Sequence, residues 1–415
     1  MKILVVLHDY LPRHTGGSEI HAHQTARELA RRGHDVSALF TERDLAAMDG
    51  ERRAGVLDGV PTLELVHQRE YADVRESWEE QRSLARFREH LAALRPDVVH
   101  FHHLAVWGSR CLVAAREAGA RVLVTLHDYH LLCDASTLLR PDGELCTAGL
   151  KGDCSACLRR HTLWPERWGG AEPERIWPQA ARARFERHRI DLAAAHVVIS
   201  PSLFLASTFE QAGFRPAHAF EILKAGYPGP LHAPRRRDLA QPLRVGYVGG
   251  IYASKGVHVL VRAFRHLVGE PIELDVHGHL AWFPDYVAEL RRAAEGSTIR
   301  FRGPFDPGGV DAVLAELDVL VLPSLWYENM PITIHEAYRH GIPVIVSDLG
   351  GMAEAVEHGV TGLTFPRGDE RALTERIRAL ARDAALYDRL AQNRPRVPTL
   401  VEVVDRLEAL YAGAG

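Results

Sequence analysis

A chain of 415 residues with 46% apolar side chains exceeds what one hydrophobic core usually organises, so we expect two domains. A net charge of −4 and a pI near 6.7 provide no basic surface for nucleic acid, and no basic run is long enough to suggest one. The composition therefore argues against a DNA-binding protein and favours one that acts on small molecules or glycans.

The amino terminus, "MKILVVLHDY", predicts a buried first strand, because five apolar residues lie between Lys2 and His8. This run is too short for the core of a signal peptide. No segment of the sequence approaches the roughly 18 uninterrupted apolar residues that a membrane span needs. We therefore expect a cytoplasmic protein, with peripheral attachment to a membrane surface left open.

The first half of the chain alternates short apolar runs with helical stretches such as "SEIHAHQTARELARRG". Buried parallel strands read as continuous apolar runs, and their alternation with helices is typical of a doubly wound α/β sheet. The runs are "ILVVL", "DVSALF", "DVVHFH", "RVLVTLHD" and "HVVISPS". We assign them to an N-terminal α/β domain, residues 1–225.

The alternation pauses at "LKAGYPGPLHAPRRR", residues 223–237, where three prolines and two glycines predict an interdomain linker. It resumes with "LRVGYVGG", "IELDVHG", "IRFRG", "VLVLPS" and "IPVIVSD", which we assign to a second α/β domain, residues 238–394. We expect the ligand between the domains, at the carboxyl ends of the strands. We expect the last helix, residues 395–415, to pack back on the first domain.

Residues 326–341, "WYENMPITIHEAYRHG", place Glu328 and Glu336 on either side of Pro331. Proline is tolerated in the first turn of a helix and forces its predecessor into extended geometry, so a helix should begin at or just after Pro331. The free N–H groups and the positive dipole end of that helix form an anion site. We therefore expect a phosphate at Asn329, Met330, Pro331 and Ile332.

The stretch "PSLWYENMPITIHEAYRHGIPVIVSDLGGMAEAVEHGVTGLTF" resembles the donor-binding region of family 4 glycosyltransferases, retaining enzymes with an E-x7-E motif followed by a G-x-P-V strand. The resemblance spans almost the whole chain, through "GGSEIHAHQTARELARRGHDV", "LHD", "ISPS" and "GGIYASKGVHVLVRAF". It implies the GT-B fold, in which two Rossmann-like doubly wound domains face a central cleft. It also implies that Glu336 accepts hydrogen bonds from the donor ribose and that Glu328 faces the sugar.

Gly16 and Gly17 lie between the first strand and the following helix, where missing Cβ atoms let the backbone approach a ligand and Ser18 could cap the helix. The alternative is a tight turn without a ligand. The resemblance implies that this loop closes over the donor diphosphate.

Lys255 is one of four lysines in a chain with 46 arginines, so a compact ammonium is specifically favoured at this position. Such a charge could neutralise a departing diphosphate. The alternative is a solvated surface lysine. The family pattern G-R-L-x-x-x-K-G aligns with "GGIYASKG", which makes Gly249 and Gly250 donor-site positions and leaves Gly250 where an arginine is usual. Another arginine could fill the space, the helix amides could suffice, or the donor could bind differently.

His127 and Asp128 follow a predicted strand at its carboxyl end, the usual place for chemistry in an open α/β sheet. The chain has 24 histidines, most of which must be structural, so the prediction depends on position. The resemblance implies that His127 faces the transferred sugar. We assign Asp128, with His21, His100 and His102, to the acceptor side.

Four cysteines, Cys133, Cys146, Cys154 and Cys157, lie in one insertion at about 130–178, directly after the His-Asp strand. Inside a cytoplasmic protein this grouping favours a metal over disulfides, and structural zinc in thiolate coordination is our first choice. The spacing leaves an iron–sulfur cluster or reduced thiols open. Cys111 is expected to be a small core residue.

Together these features predict a retaining glycosyltransferase that moves a sugar from a nucleoside-diphosphate sugar to a hydroxyl acceptor, which could be a glycan, a lipid-linked acceptor or a small molecule. Its catalytic residues would be His127, Lys255 and Glu328. No D-x-D pair stands where it would hold a catalytic metal, so catalysis should be metal-independent. The alternatives are an epimerase or phosphorylase of the same fold, or an inactive donor-binding scaffold.

Overall fold

The structure is a computed structural model that describes residues 1–68, 74–146, 154, 157, 176–306 and 308–413. The chain divides into two compact units. The N-terminal unit comprises Met1–Gly226 together with Leu400–Gly415, and the second unit comprises Tyr227–Thr399. Most of the predicted insertion, residues 147–153, 155–156 and 158–175, lies outside the described residues.

The N-terminal unit contains an eight-stranded sheet in the order β3-β4-β2-β1-β5-β6-β7-β8. All pairs are parallel except β3 with β4. The strands are β1 (Lys2–Val6), β2 (Asp35–Arg43), β3 (Arg52–Leu57), β4 (Val60–His67), β5 (Val98–Phe101), β6 (Arg121–Thr125), β7 (Val197–Ser200) and β8 (Glu221–Ile222). Helices between them are α1 (Gly17–Arg31), α2 (Gln81–Leu94), α3 (Arg110–Glu117), α4 (Ile176–Leu192) and α5 (Leu203–Gln211).

The antiparallel pair β3 and β4 is an edge hairpin that the apolar-run analysis did not predict. Asp58 and Gly59 form its two-residue turn with φ of 45° and 83°. Asp-Gly is the favoured pair for such a turn, because both central residues need positive φ. The strand β3, RRAGVL, is mostly exposed and lacks the run of large apolar residues that marks a buried strand.

The second unit contains a six-stranded, fully parallel sheet in the order β11-β10-β9-β12-β13-β14. Its strands are β9 (Leu243–Val248), β10 (Ile272–His277), β11 (Ile299–Gly303), β12 (Val319–Leu322), β13 (Val344–Ser347) and β14 (Leu363–Phe365). Its helices are α6 (Val257–Arg265), α7 (Pro284–Ala293), α8 (Val310–Glu316), α9 (Ile332–Arg339), α10 (Gly350–Ala355), α11 (Glu370–Arg382) and α12 (Ala384–Gln392). The predicted α/β class with parallel sheets is confirmed for both units.

The last helix, α13 (Leu400–Tyr411), belongs to the N-terminal unit. Its apolar face, including Val403, Val404 and Leu407, is buried in the same core as β1 and α1. Arg32 at the end of α1 pairs with Asp405 and Glu408 on α13, at 2.7 and 2.6 Å. Burial of apolar area is the main stabilising term, and these partly exposed ion pairs add little to it.

None of the helices in the described ranges combines the length and the apolar character that crossing a bilayer requires.

Candidate active site

The second unit holds four of the predicted site residues on one loop, residues 323–331, which we call the donor loop: Glu328, Asn329, Met330 and Pro331. It connects β12 to α9, whose first residue is Ile332, as the position of Pro331 predicts. Pro331 itself is the N-cap and provides no side-chain cap. The first N–H groups of α9 are therefore not capped by the N-cap side chain. They lie at the end of the helix where the helix dipole favours an anion.

A second turn, Ala253–Lys255, packs directly against the donor loop. Gly256 follows it with φ of +71° and precedes α6, and a Cβ atom at this position would collide with the carbonyl oxygen of Pro323. The N–H of Leu325 donates to the carbonyl of Ser254 at 2.8 Å. Glycine is therefore required here both by its φ and by the close approach that brings Lys255 to the donor loop.

The ammonium of Lys255 donates to Oε1 of Glu328 at 2.6 Å. The same carboxylate oxygen accepts hydrogen bonds from Ser324 Oγ at 2.7 Å and from Trp326 Nε1 at 2.9 Å. The backbone carbonyl of Glu328 accepts the N–H of Gly351 at 2.8 Å. Glu328 is 6% exposed and is therefore held in one orientation by several donors.

Burial lowers the pKa of Lys255, but the neighbouring Glu328 carboxylate and Tyr252 outweigh burial and hold it above its ordinary value. Lys255 also lies 5.1 Å from the ring centroid of Trp326 and 5.9 Å from that of Tyr252. Such contacts favour the charged form of the amine. Lys255 is thus a fixed positive charge beside the N-terminus of α9.

Asn329 is 7% exposed, and neither its Oδ1 nor its Nδ2 has a hydrogen-bond partner among the described residues. Leaving a buried polar group without a partner costs about 1–3 kcal/mol. Met330, the next residue, is also buried. This unsatisfied amide follows Glu328, the partner of Lys255, and precedes the start of α9. A site that is completed by a ligand would contain such a group.

Glu336 lies in the second turn of α9 and is partly buried. Burial raises the pKa of its carboxyl group to about 7, with Arg339 opposing and Asp311 reinforcing the shift. The group is therefore near its titration midpoint at neutral pH. It would accept a hydroxyl donor best in its charged form.

Gly249 and Gly250 follow β9, where the missing family arginine would stand. The hydroxyl of Tyr247 donates to the carbonyl of Gly250 at 2.5 Å. A Cβ atom at Gly250 would lie 2.5 Å from Cε1 of Tyr252, so the tyrosine ring takes the space of a side chain at this position. The sequence pattern did not indicate this role for Tyr252.

The N-terminal unit brings four predicted residues together in a histidine cluster, which comprises His21, His100, His102 and His127. Nε2 of His127 lies 3.0 Å from Nδ1 of His102, and the two rings stack at 5.3 Å. The ring of His21 lies 5.6 Å from the rings of both. Nδ1 of His21 and Nε2 of His102 are buried without a partner in the described parts of the chain.

Burial, reinforced by the neighbouring rings, holds the pKa of His127 well below its ordinary value. Burial likewise lowers the pKa of His21 to about 4 and keeps that of His102 well below the usual range. These rings are neutral at pH 7, so each has one donor and one acceptor nitrogen. Neutral imidazoles of this kind suit hydroxyl groups rather than anions.

His100 differs from the other three. Its Nδ1 lies 2.8 Å from the hydroxyl of Tyr411, and its Nε2 lies 2.8 Å from Oγ1 of Thr125. The ring is fully buried. Both nitrogens are therefore engaged within the fold, and His100 supports His102, whose ring lies 4.2 Å away.

Asp128 pairs with His103, a residue that the sequence reasoning missed. Oδ2 of Asp128 lies 3.0 Å from Nε2 of His103, and Oδ1 accepts the N–H of His130 at 2.7 Å. Burial lowers the pKa of His103, but Asp128, Glu19 and Asp9 oppose burial and raise it above the ordinary value. His103 is thus more readily protonated than the histidines of the cluster, whose pKa values burial lowers.

The glycine loop differs from expectation in one respect. Gly16, not Ser18, is the N-cap of α1, and Ser18 Oγ instead donates to Oε1 of Glu19 at 2.9 Å. The prediction that Ser18 caps the helix is wrong, because α1 already begins at Gly17. The carboxylate of Glu19 folds back over Gly16, where a Cβ atom would collide with it.

The five cysteines are all described, and none forms a disulfide. Cys111 is buried in α3, as predicted. Cys133, Cys146, Cys154 and Cys157 are partly buried. No group of three or more His, Cys, Asp or Glu side chains in the described ranges is positioned as a formed metal site.

Comparison with known proteins identifies two matching families. Residues 15–222 match the family described as Glycosyltransferase Family 4, and residues 242–383 match the family described as Glycosyl transferases group 1. The chain is 25% identical over 409 residues to the glycogen synthase of Mycobacterium tuberculosis, a match covering 94% of this chain and 89% of that protein.

A second curated relative is similar over a shorter stretch. The chain is 30% identical over 182 residues to the amylovoran biosynthesis glycosyltransferase AmsK of Erwinia amylovora, covering 41% of this chain and 44% of that protein. Among solved structures, Anabaena Alr3699/HepE in complex with UDP and glucose is similar with a TM-score of 0.68 at 19% identity, and the match covers 99% of each chain.

Proposed function

Because this chain belongs to glycosyltransferase family 4 and has the GT-B fold, we propose that it transfers a sugar from a nucleoside-diphosphate sugar to a hydroxyl acceptor, with retention of configuration. The observation that carries the proposal is the grouping of Lys255, Glu328 and the unsatisfied amide of Asn329 at the start of α9. A positive charge, free amides and a buried unpaired amide together form a site for a diphosphate and its attached sugar.

The leaving group determines what these residues do. Negative charge grows on the diphosphate as the glycosidic bond breaks, and preorganised donors stabilise that charge more in the transition state than in the ground state. Lys255 is already charged and oriented, so it meets this charge without reorganisation. We assign the same task to the N–H groups at the start of α9, and no metal ion to this step.

The two glutamates have different tasks in this proposal. Glu336 accepts the ribose hydroxyls, as the resemblance to family 4 implies, and its partly buried carboxylate on α9 is an acceptor group suited to this. Glu328 faces the sugar ring, which gains positive character as the bond breaks. Attack and departure on the same face of the sugar require no covalent nucleophile, and none is assigned.

In the N-terminal unit, His127 would hydrogen-bond a hydroxyl of the transferred sugar. The unpartnered nitrogens of His21 and His102 offer two further positions for hydroxyl groups, which suits a polyhydroxylated substrate. Asp128 and its partner His103 would bind the acceptor side. Whether the acceptor is a glycan, a lipid-linked molecule or a small molecule is to be determined by experiment.

A panel of nucleotide sugars scored by thermal shift tests the donor. UDP-glucose is the first candidate, since the HepE structure contains UDP and glucose, and ADP- and GDP-sugars complete the panel. A ligand at 100 times its Kd stabilises the native state by about 2.7 kcal/mol. Donor binding should be abolished or weakened when Lys255 and Glu336 are both replaced.

Product analysis then tests the reaction. Transfer predicts that free nucleoside diphosphate accumulates when acceptor is added, and that NMR of the product shows the anomeric configuration of the donor. An isomerised nucleotide sugar in the absence of acceptor would instead identify an epimerase. Phosphate-dependent release would identify a phosphorylase, and binding without turnover on any acceptor would identify a scaffold.

A further inference from the structure

The chain contains two asparagines among its 415 residues, Asn329 on the donor loop and Asn393 at the end of α12. Asn393 is exposed, whereas Asn329 is 7% exposed. Folded proteins seldom bury an asparagine amide without hydrogen-bond partners. Both polar atoms of the Asn329 side chain nevertheless lack a partner among the described residues. A residue type that is rare in this chain is therefore found where the described fold does not satisfy its amide.

Helix α10 holds the backbone of Asn329 in place. The N–H of Gly351, in the first turn of α10, donates to the carbonyl of Glu328 at 2.8 Å. A Cβ atom at Gly351 would collide with the backbone carbonyl of Asn329, so the two segments are in close contact. The point from which the Asn329 side chain projects is thus set before any ligand binds, which is the condition for a preorganised contact.

The polar groups next to Asn329 are engaged with one another. Oε1 of Glu328 accepts hydrogen bonds from Lys255, Ser324 and Trp326. These bonds do not include the amide of Asn329, whose Oδ1 and Nδ2 remain unpaired in the described chain. Asn329 therefore offers a carbonyl acceptor and two N–H donors at one point of the donor loop.

The chemistry of an amide decides which part of a nucleotide sugar can satisfy it. Phosphate oxygens of a nucleotide sugar are acceptors at neutral pH, so a diphosphate would satisfy Nδ2 and leave Oδ1 without a partner. A hydroxyl group both donates and accepts, so two hydroxyls can satisfy both atoms. Because Oδ1 and Nδ2 are bonded to the same carbon, the two hydroxyls must also be neighbours. Adjacent hydroxyl groups on a sugar ring meet this condition.

A nucleotide sugar carries such hydroxyl pairs on its ribose and on its transferred sugar. The proposed function assigns the ribose to Glu336, which lies in the second turn of α9. Asn329 lies before α9 and directly follows Glu328, the residue assigned to the sugar ring. Its place on the donor loop therefore favours the transferred sugar over the ribose.

We propose that the amide of Asn329 hydrogen-bonds two adjacent hydroxyl groups of the transferred sugar and thereby selects the donor. This inference rests on the proposed function, because it requires that the donor loop bind a nucleotide sugar. Oδ1 accepts one hydroxyl, and Nδ2 donates to the other. The substrate class is a sugar with two free adjacent hydroxyls. A sugar that lacks either hydroxyl leaves a buried polar atom unpaired, which a hydrogen-bonding site rejects strongly.

Calorimetry with UDP-glucose and its monodeoxy analogues, or with the same series of the donor that the thermal-shift panel selects, tests the proposal. On the wild-type chain, the two analogues that lack the adjacent hydroxyls should bind at least about tenfold more weakly than the parent donor. Asn329→Leu keeps the shape of the side chain and removes its polar atoms. In this variant the penalty should vanish for those two analogues and persist for the others. Asn329→Ala provides the same comparison if the leucine variant does not fold.

The matched control is Asn393→Leu, the same substitution at the exposed asparagine, which should leave every affinity unchanged. Weaker binding of UDP itself by Asn329→Leu would place the amide on the ribose or the diphosphate and overturn the inference. Lower thermal stability with every deoxy penalty retained would show that the amide satisfies a buried water instead, and would also overturn it. Binding of UDP-glucose by the wild type would still support the proposed function in both cases. Failure of every nucleotide sugar to bind would refute the inference and the proposed function together.

Discussion

The ammonium of Lys255 and the carboxylate of Glu328 are bonded at 2.6 Å although 73 residues separate them in sequence. Both side chains are largely removed from solvent, with 21% and 8% of their surfaces exposed. An arriving diphosphate must therefore share a lysine that already has an anionic partner. This relationship makes separate predictions for the two residues.

Lys255→Ala should lower the rate of donor turnover about a hundredfold or more, by analogy with the loss of one transition-state contact. Donor affinity should change less, because the charge on the leaving group is largest in the transition state. The measurement is the steady-state rate of nucleotide-sugar hydrolysis, monitored through the release of nucleoside diphosphate. Lys224→Ala is the control, and activity within a few-fold of wild type would return Lys255 to the status of a surface residue.

Glu328→Gln should lower kcat strongly and leave nucleoside diphosphate binding intact or tighter. The amide keeps the shape of the side chain but no longer neutralises Lys255, so the ammonium is freer to meet the diphosphate. The substitution also removes the negative charge beside the sugar ring, which gains positive character as the glycosidic bond breaks. Calorimetry with the nucleoside diphosphate and turnover of the donor measure the two effects, and exposed Glu357→Gln is the control. Weakened diphosphate binding with unchanged kcat would contradict this assignment.

Glu336 should make donor affinity depend on pH. Its pKa is raised to about 7 by burial, and ribose hydroxyls that donate to the charged form should lower it when the donor binds. Binding then releases a proton, so affinity should rise from pH 5.5 to about 7 and level off above, by up to about tenfold per unit below the pKa. A nucleotide sugar is the suitable ligand, because its phosphates do not titrate in this range.

Glu336→Gln should bind the donor more weakly at pH 8 and with almost no pH dependence. Calorimetry in two buffers of different ionisation enthalpy counts the proton released by the wild type. A wild-type affinity that is flat from pH 5.5 to 8 would remove the ribose assignment.

Asp128→Asn should destabilise the fold more at acidic than at alkaline pH. The pKa of His103 is raised in the folded protein, so the ion pair contributes stability that is present below the ordinary histidine pKa and is lost as pH rises through the raised value. A hydrogen bond to a charged group is worth about 1.5–3 kcal/mol. Thermal unfolding at pH 6 and pH 9 measures the difference, with the exposed Asp142→Asn as control, and an equal loss at both values would refute the pairing.

The sequence predicted the parts of the fold that have local signals. Continuous apolar runs located β1, β2, β5, β6, β7 and β9 to β13, but not the short parallel edge strands β8 and β14. The proline at 331 located the start of α9. The hairpin of β3 and β4 was missed because β3 is mostly exposed and lacks a run of large apolar residues, although the Asp-Gly pair at 58–59 is a turn signal. Ser18 was placed as a cap because the glycine before it was read as part of a loop.

Side-chain pairing across long separations could not be predicted. His103 meets Asp128 only because β5 and β6 are neighbours in the sheet, and adjacent strand order is not written in either segment. The ring of Tyr252 takes the space at Gly250 although only two residues separate them, because the local backbone folds it back, which the sequence pattern does not show. Gly351 in α10 lies so close to the donor loop that a Cβ atom there would collide with the backbone carbonyl of Asn329, a packing relation that no local pattern contains.

The position of α13 has a consequence for how the chain is made. Synthesis proceeds from the amino terminus, and domains generally fold as they emerge. The second unit, Tyr227–Thr399, is continuous in sequence and can complete its core as soon as it has left the ribosome. The first unit cannot, because Val403, Val404 and Leu407 complete a core begun by Ile3 and Val5. The half that is synthesised first is therefore the half that finishes folding last, because its core stays incomplete until α13 has been synthesised.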